Sequence, residues 1–208
     1  MLDITPDKLI LIAIFLLVAF PVHEFAHAAV AYLQGDATAK LFGRMTLNPL
    51  VHFDRFGGMM VIISVLLGGF LFGWAKPTPV NTANLRDRRN GEVLVALAGP
   101  ASNLLMALLG AFVIRALSAL DVTLPSLVVT TLSFFVIFNV ALAVFNLLPI
   151  PPLDGSTILF RFLPARYAWQ LRPLLAQYGI FVLVIFILVL SRPLGGLILG
   201  VSRFLVGA

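Results

Sequence analysis

The chain of 208 residues has no cysteine, only three histidines, and few charges of either sign. Without cysteine there is no disulfide framework and no thiolate metal site. Any metal must be held by histidine, carboxylate or backbone. Charged residues make up 11% of the chain and hydrophobic ones 61%, with a mean hydropathy of +1.07. A soluble domain is about half apolar and a quarter charged, so this composition excludes an ordinary cytosolic globule and a disordered chain. Neither an internal repeat nor a low-complexity tract is present. Fourteen Lys and Arg stand against nine Asp and Glu, and that excess is spread over several short loops. It argues against a nucleic-acid partner and reads as a membrane-orientation signal.

The apolar residues fall into runs of bilayer length, about 20 residues for a helix. The expected fold is an all-α polytopic membrane protein forming a single domain over residues 1–208. Its core spans are expected at 9–33, 93–120 and 127–148, followed by a C-terminal span at 174–190 and an apolar tail at 193–206. Residues 57–74 are apolar but only marginally long, with glycines at both ends and Gly68-Gly69 inside. They are expected to re-enter rather than cross. The polar stretch 34–58 is rich in Gly, Thr and Asn-Pro and predicts loop with short β elements. Residues 78–81, after Lys76-Pro77, are a candidate edge strand, a structure that binds extended peptide by strand addition.

Charge sets the expected orientation. Lys40, Arg44 and Arg55 follow the first span, Lys76, Arg86, Arg88 and Arg89 precede the second, and Arg161, Arg166 and Arg172 follow the third. The positive-inside rule puts all three loops in the cytoplasm, provided residues 57–74 enter and leave on one side. A full crossing there would misplace four basic residues.

Among the nine acidic residues, Glu24 and Asp154 stand apart, because they lie in or at the end of apolar segments. A carboxylate at membrane depth costs about 2.5–3.5 kcal/mol even on a lenient scale, so such residues are functional candidates. Glu24 is flanked by two of the three histidines in His23-Glu24-Phe25-Ala26-His27, an H-E-x-x-H pattern. On a helix, positions i and i+4 lie on one face, so both imidazoles can converge on one zinc ion. Glu24, one position on, sits beside the metal and is free to move a proton. A catalytic zinc takes three protein ligands and leaves one position open. The pattern supplies two, and Asp154 is the other acid at comparable depth. Two histidines and a carboxylate also accept iron or cobalt.

Three separated motifs carry a family resemblance: Phe20 to Ala28 with the H-E-x-x-H helix, Leu97-Ala98-Gly99-Pro100-Ala101-Ser102-Asn103, and Asn146-Leu147-Leu148-Pro149 followed by Leu153-Asp154-Gly155. In this order the chain resembles the site-2 proteases, intramembrane zinc metalloproteases, in their compact form without a PDZ domain. The resemblance implies a three-helix catalytic core and one zinc ion held by His23, His27 and Asp154. It makes Glu24 the general base and acid, and Asn146 a holder of substrate backbone or of the developing oxyanion. It also implies membrane-protein substrates cut in or near their transmembrane segments, a place in the cell membrane, and a metal towards the cytoplasmic side. A zinc transporter and an inactive helix-binding scaffold are the competing expectations. A transporter would not need a glutamate beside the first histidine, and an inactive relative typically lacks a motif residue, whereas every key one is present here.

His52 and Asp54 form an H-x-D pair after Asn48-Pro49. They are accessory candidates near the metal, with His52 a lesser alternative to Asp154 as third ligand. Asn103 is expected to hydrogen-bond between helices and Gly99 to let them approach closely.

Overall fold

The computed structural model describes residues 6–52, 54, 56, 57, 59 and 76–207, with side chains from Leu17 onward. Among the described residues the chain is all helix and connection. The elements are α1 (Pro6–Leu33), α2 (Thr38–Leu41), α3 (Pro49–His52), a 3₁₀ turn (Thr82–Asn84), α4 (Arg88–Ala119), α5 (Ser126–Asn146), α6 (Asp154–Phe162) and α7 (Ala165–Val206). By length and apolar composition α4, α5 and α7 can each cross a membrane. At 28 residues, α1 extends about 42 Å at the helical rise.

No strand occurs among the described residues, which corrects the expectation of short β elements. Within 34–58 the polar residues cap helical turns instead. The Asp36 carboxylate accepts from Thr38 N at the start of α2, and the Asn48 side chain accepts from Leu50 N at the start of α3, with Pro49 in the first helical position. Residues 76–81 run extended, but no partner strand receives them: Lys76 N donates to His52 O of α3, and the N–H groups of Thr78 and Asn81 find side-chain acceptors on α1 and its exit loop. Thr78 N donates to Glu24 Oε2 at 2.9 Å and Asn81 N to Asp36 Oδ2 at 2.7 Å. The re-entrant expectation for 57–74 falls, apart from Gly57 and Met59, outside the described residues.

The central helix is α4, which packs against α1, α5, α6 and α7. Its N-terminus is capped by Asp87, whose carboxylate accepts from Arg89 N and Asn90 N at 3.0 Å each, satisfying donors that the first turn leaves open. Small residues let its neighbours approach. Ala107 and Ala111 meet Val136 and Val140 of α5 in a core that the end of α7 closes with Val201 and Leu205. A Cβ on Gly110 would come within 3.0 Å of the Phe135 ring.

Helix α5 stops at Asn146 for a reason legible in the next six residues. Pro149, Pro151 and Pro152 lack the N–H that would continue the ladder, and a residue before proline avoids the α region. The resulting turn buries Leu148, Ile150 and Leu153 against Leu183 of α7. It then enters α6 at Asp154. Gly155 is required there, because a Cβ would overlap Leu147 O and lie 2.5 Å from Leu148 O. The outward faces of α4, α5 and α7 remain apolar and exposed, as at Phe112, Leu127, Phe181 and Val189, which suits contact with lipid rather than water.

Candidate metal centre

Helix α1 delivers His23, Glu24 and His27 to its buried side, at 3%, 7% and 7% exposure. One turn separates the two histidines, and their Nε2 atoms lie 3.0 Å apart. Asp154, in the first turn of α6, completes the group: its Oδ2 lies 3.3 Å from His23 Nε2 and 3.4 Å from His27 Nε2. Among the described residues these three form the one His, Asp and Glu cluster whose ligand atoms lie within 4.8 Å of one another.

Proton bookkeeping shows what such a cluster wants. The Nδ1 of His23 lies 2.6 Å from Asn103 Oδ1, and that of His27 lies 2.7 Å from Val95 O. Both partners are carbonyl oxygens, which only accept, so each Nδ1 carries the ring proton and each Nε2 presents a lone pair. The third atom, Asp154 Oδ2, is buried and has no hydrogen-bond partner. Three acceptors thus face one another with no donor between them, an arrangement that a bound cation relieves and that otherwise needs an added proton. The spacing suits zinc: bonds of about 2.0–2.2 Å in a tetrahedral site put neighbouring ligand atoms about 3.3 Å apart. The donor set and the distances therefore fit the metal.

The space for it is left by Gly99 of α4. A Cβ there would overlap His27 Nε2 and lie 2.5 Å from both Nε2 and Cε1 of His23. The close approach expected of Gly99 is thus made against two imidazoles rather than against a helix backbone. Asn103, one turn later, does bond between helices as its position suggests, but one of its partners is His23.

Beside this cluster, Glu24 is held by the extended residues 76–81. Its Oε2 accepts from Thr78 N at 2.9 Å and from Thr78 Oγ1 at 2.7 Å. No hydrogen bond occupies Oε1 among the described residues. Loop 76–84 is itself clamped by Asp36, which accepts from Asn81 N and Asn84 Nδ2. Burial opposes ionisation of Asp36, yet the hydrogen bonds from Thr38, Asn81 and Asn84 outweigh it and hold the carboxyl below its ordinary value.

The hydrogen bonds of the remaining candidates go elsewhere than to the three ligand atoms. Asn146 is half-buried at the end of α5, and its Nδ2 donates to Leu142 O at 2.9 Å. His52 is buried, donates from Nε2 to Thr46 O at 2.9 Å, and accepts from Lys76 N through its carbonyl. Asp54 accepts from Gly57 N at 2.8 Å. The side chains of both bond within the segment 46–57.

Sequence reasoning passed over the roles of Asn103, Asn139 and Thr78 at this centre. For the two asparagines a signal was available: an amide in the middle of an apolar span needs a partner as surely as a carboxylate does.

Comparison with known proteins agrees with this chemistry. The model of the family described as Peptidase family M50 matches residues 10–126 and 118–190. The chain is 38% identical over 192 residues to "Putative zinc metalloprotease YwhC" of Bacillus subtilis, covering 90% of this chain and 83% of that protein. It is 33% identical to "Putative zinc metalloprotease Rip2" of Mycolicibacterium smegmatis, covering 92% and 75%, and 30% identical to the Rip2 of Mycobacterium tuberculosis strain H37Rv, covering 91% and 70%. No solved structure matches.

Proposed function

The chain belongs to peptidase family M50 and is a zinc-dependent protease of multi-pass membrane character, and from that premise we propose that it cuts membrane-protein substrates in or near their transmembrane segments. Regulated intramembrane proteolysis is the corresponding role. The observation that carries the proposal is the convergence of His23 Nε2, His27 Nε2 and Asp154 Oδ2 to within 3.4 Å on helices packed among apolar spans.

In this reading His23, His27 and Asp154 hold the zinc. The ion supplies Lewis acidity, lowering the pKa of water towards about 7 and polarising a carbonyl. Glu24 takes the proton from the attacking water, through the Oε1 that no described residue occupies, and passes it to the leaving amine. Thr78 fixes the other carboxylate oxygen. Asn146 has a second amide N–H beyond the one given to Leu142 O, and this would steady the oxyanion. A helical substrate hides its carbonyls in its own ladder, so it must unwind before attack; residues 76–81, whose Thr78 bonds Glu24, would guide the unwound segment. The three clusters of basic residues support a metal centre towards the cytoplasmic side, provided residues 57–74 enter and leave on one side.

The test is cleavage of a model transmembrane substrate in lipid by the wild type and by Glu24→Gln, with bound zinc measured in both. Loss of cleavage with zinc retained is expected. Cleavage that persists in Glu24→Gln, or zinc that stays bound when His23, His27 and Asp154 are all replaced by alanine, would overturn the assignment.

A further inference from the structure

The two imidazoles of the centre acquire the same tautomer by different means. His27 donates straight to a backbone carbonyl, Val95 O. His23 donates to a side-chain amide, Asn103 Oδ1, and an amide can turn over and present its NH₂ instead. Something must hold Asn103 with its oxygen towards the ring.

The next bonds provide it. Asn103 Nδ2 donates to Asn139 Oδ1 at 3.1 Å, and Asn139 Nδ2 donates to Phe135 O at 2.9 Å. The chain of bonds therefore ends on a backbone carbonyl, a group that accepts and never donates. That endpoint dictates every direction above it: Asn139 must turn its NH₂ to Phe135 O, its oxygen then faces Asn103, Asn103 must turn its NH₂ to that oxygen, and its own oxygen faces His23. Reversing either amide sets two oxygens against each other. Asn103 and Asn139 are fully buried and His23 is 3% exposed, so water is not at hand to repair the mismatch.

We propose that Asn103 and Asn139 are positioning residues that form a one-way hydrogen-bond relay from α5 through α4 to α1, setting the His23 ring to carry its proton on Nδ1 and to offer Nε2 to the metal. The relay makes zinc affinity depend on Asn139, a residue whose side-chain hydrogen bonds among the described residues go to Asn103 and Phe135 O. This rests on His23 being a ligand, as proposed above. Outer partners of a metal-bound histidine commonly matter by 10–100-fold in affinity.

The experiment reads the rings directly. The protein, labelled with ¹⁵N-histidine and stripped of metal, is examined in lipid by solid-state NMR at an alkaline pH, set as the one at which no doubly protonated ring signal remains. Three histidines keep the spectrum simple. The wild type should show two rings protonated on Nδ1, His23 and His27, and one on Nε2, His52, which donates to Thr46 O. In Asn139→Leu the His23 signal should divide between the two tautomers, and zinc Kd, measured against a competing chelator, should weaken 10–100-fold. A His23 ring still wholly Nδ1-protonated, with zinc Kd within twofold of wild type, would overturn the relay.

If Asn139→Leu does not fold, Asn103→Asp and Asn103→Leu decide the matter. The carboxylate can only accept and should keep the Nδ1 tautomer, whereas leucine should release it; the same tautomer mixture in both refutes the proposal. Failure of the ligand assignment is a separate outcome. It would appear as undiminished zinc binding in His23→Ala, while the metal-free ring spectra still report on the relay.

Discussion

Gly99→Ala adds one methyl group to a helix interior, a change that normally stabilises by about 0.5–1 kcal/mol. Here it should abolish the enzyme. The new Cβ would overlap His27 Nε2 and lie 2.5 Å from two atoms of the His23 ring, where ordinary contact is 3.4–4 Å. Each imidazole must therefore retreat by about 1 Å, and neither is free to do so, since both Nδ1 atoms are anchored within 2.7 Å of their acceptors. Metal geometry tolerates displacements of about 0.5 Å, and a misplacement of about 1 Å at a reacting centre costs on the order of 100-fold in rate. Overpacking adds about 1–3 kcal/mol of destabilisation. The assay is zinc content after dialysis, cleavage rate, and thermal unfolding in detergent, with Gly200→Ala as control because nothing lies within 4 Å of its Cβ position. Gly99→Ala protein that keeps both zinc and cleavage within threefold of wild type would refute the argument that this glycine reserves the metal's space.

Three further outcomes follow from the same geometry. Thr78→Val removes the hydroxyl bond to Glu24 Oε2 but keeps the backbone one, so kcat should fall about tenfold, in line with a charge-assisted bond of about 1.5 kcal/mol, with zinc content unchanged and Thr78→Ser restoring the rate; an unaltered Thr78→Val rate counts against this positioning. Gly155→Ala pushes a methyl into Leu147 O and Leu148 O, moving the turn that carries Asp154, so zinc should be lost while His23 and His27 stay in place on α1; retention of the metal, measured by elemental analysis, tells against it. The carboxyl of Asp36 has a folded pKa below its ordinary 3.8, so the stability it contributes is fully present above that value and is lost as pH falls through the lowered one. Asp36→Asn should therefore lower the thermal midpoint at pH 7 and flatten the loss of stability below about pH 4; parallel wild-type and variant acid-unfolding curves would dismiss the clamp.

Much of this architecture is written in short-range pattern. The apolar runs specify helices that cross a bilayer, and the prolines at 149, 151 and 152 end α5 wherever the rest of the chain goes. The i, i+4 spacing of His23 and His27 places both rings on one face by the helical repeat alone. Glycine and Asn-Pro in 34–58 were a weaker guide. Such residues favour turns, and a turn becomes a helix start or a strand end according to which acceptor its N–H groups meet. For Thr78 and Asn81 the acceptors are Glu24 and Asp36, more than forty positions earlier in the chain.

What the sequence by itself determined, then, is the local chemistry: an apolar helix bearing two imidazoles and a carboxylate at fixed angles, and a proline-broken turn ending in an aspartate. Tertiary structure alone decided that Asp154 approaches those rings, that Gly99 leaves the gap between them, and that Asn103 and Asn139 dictate which nitrogen is free. The physical reason is range. Helical geometry is set by backbone torsions over a few residues, whereas the centre depends on α4 being packed between α1, α5 and α6. A hydrogen bond joining residues 23 and 103 is invisible until that packing exists.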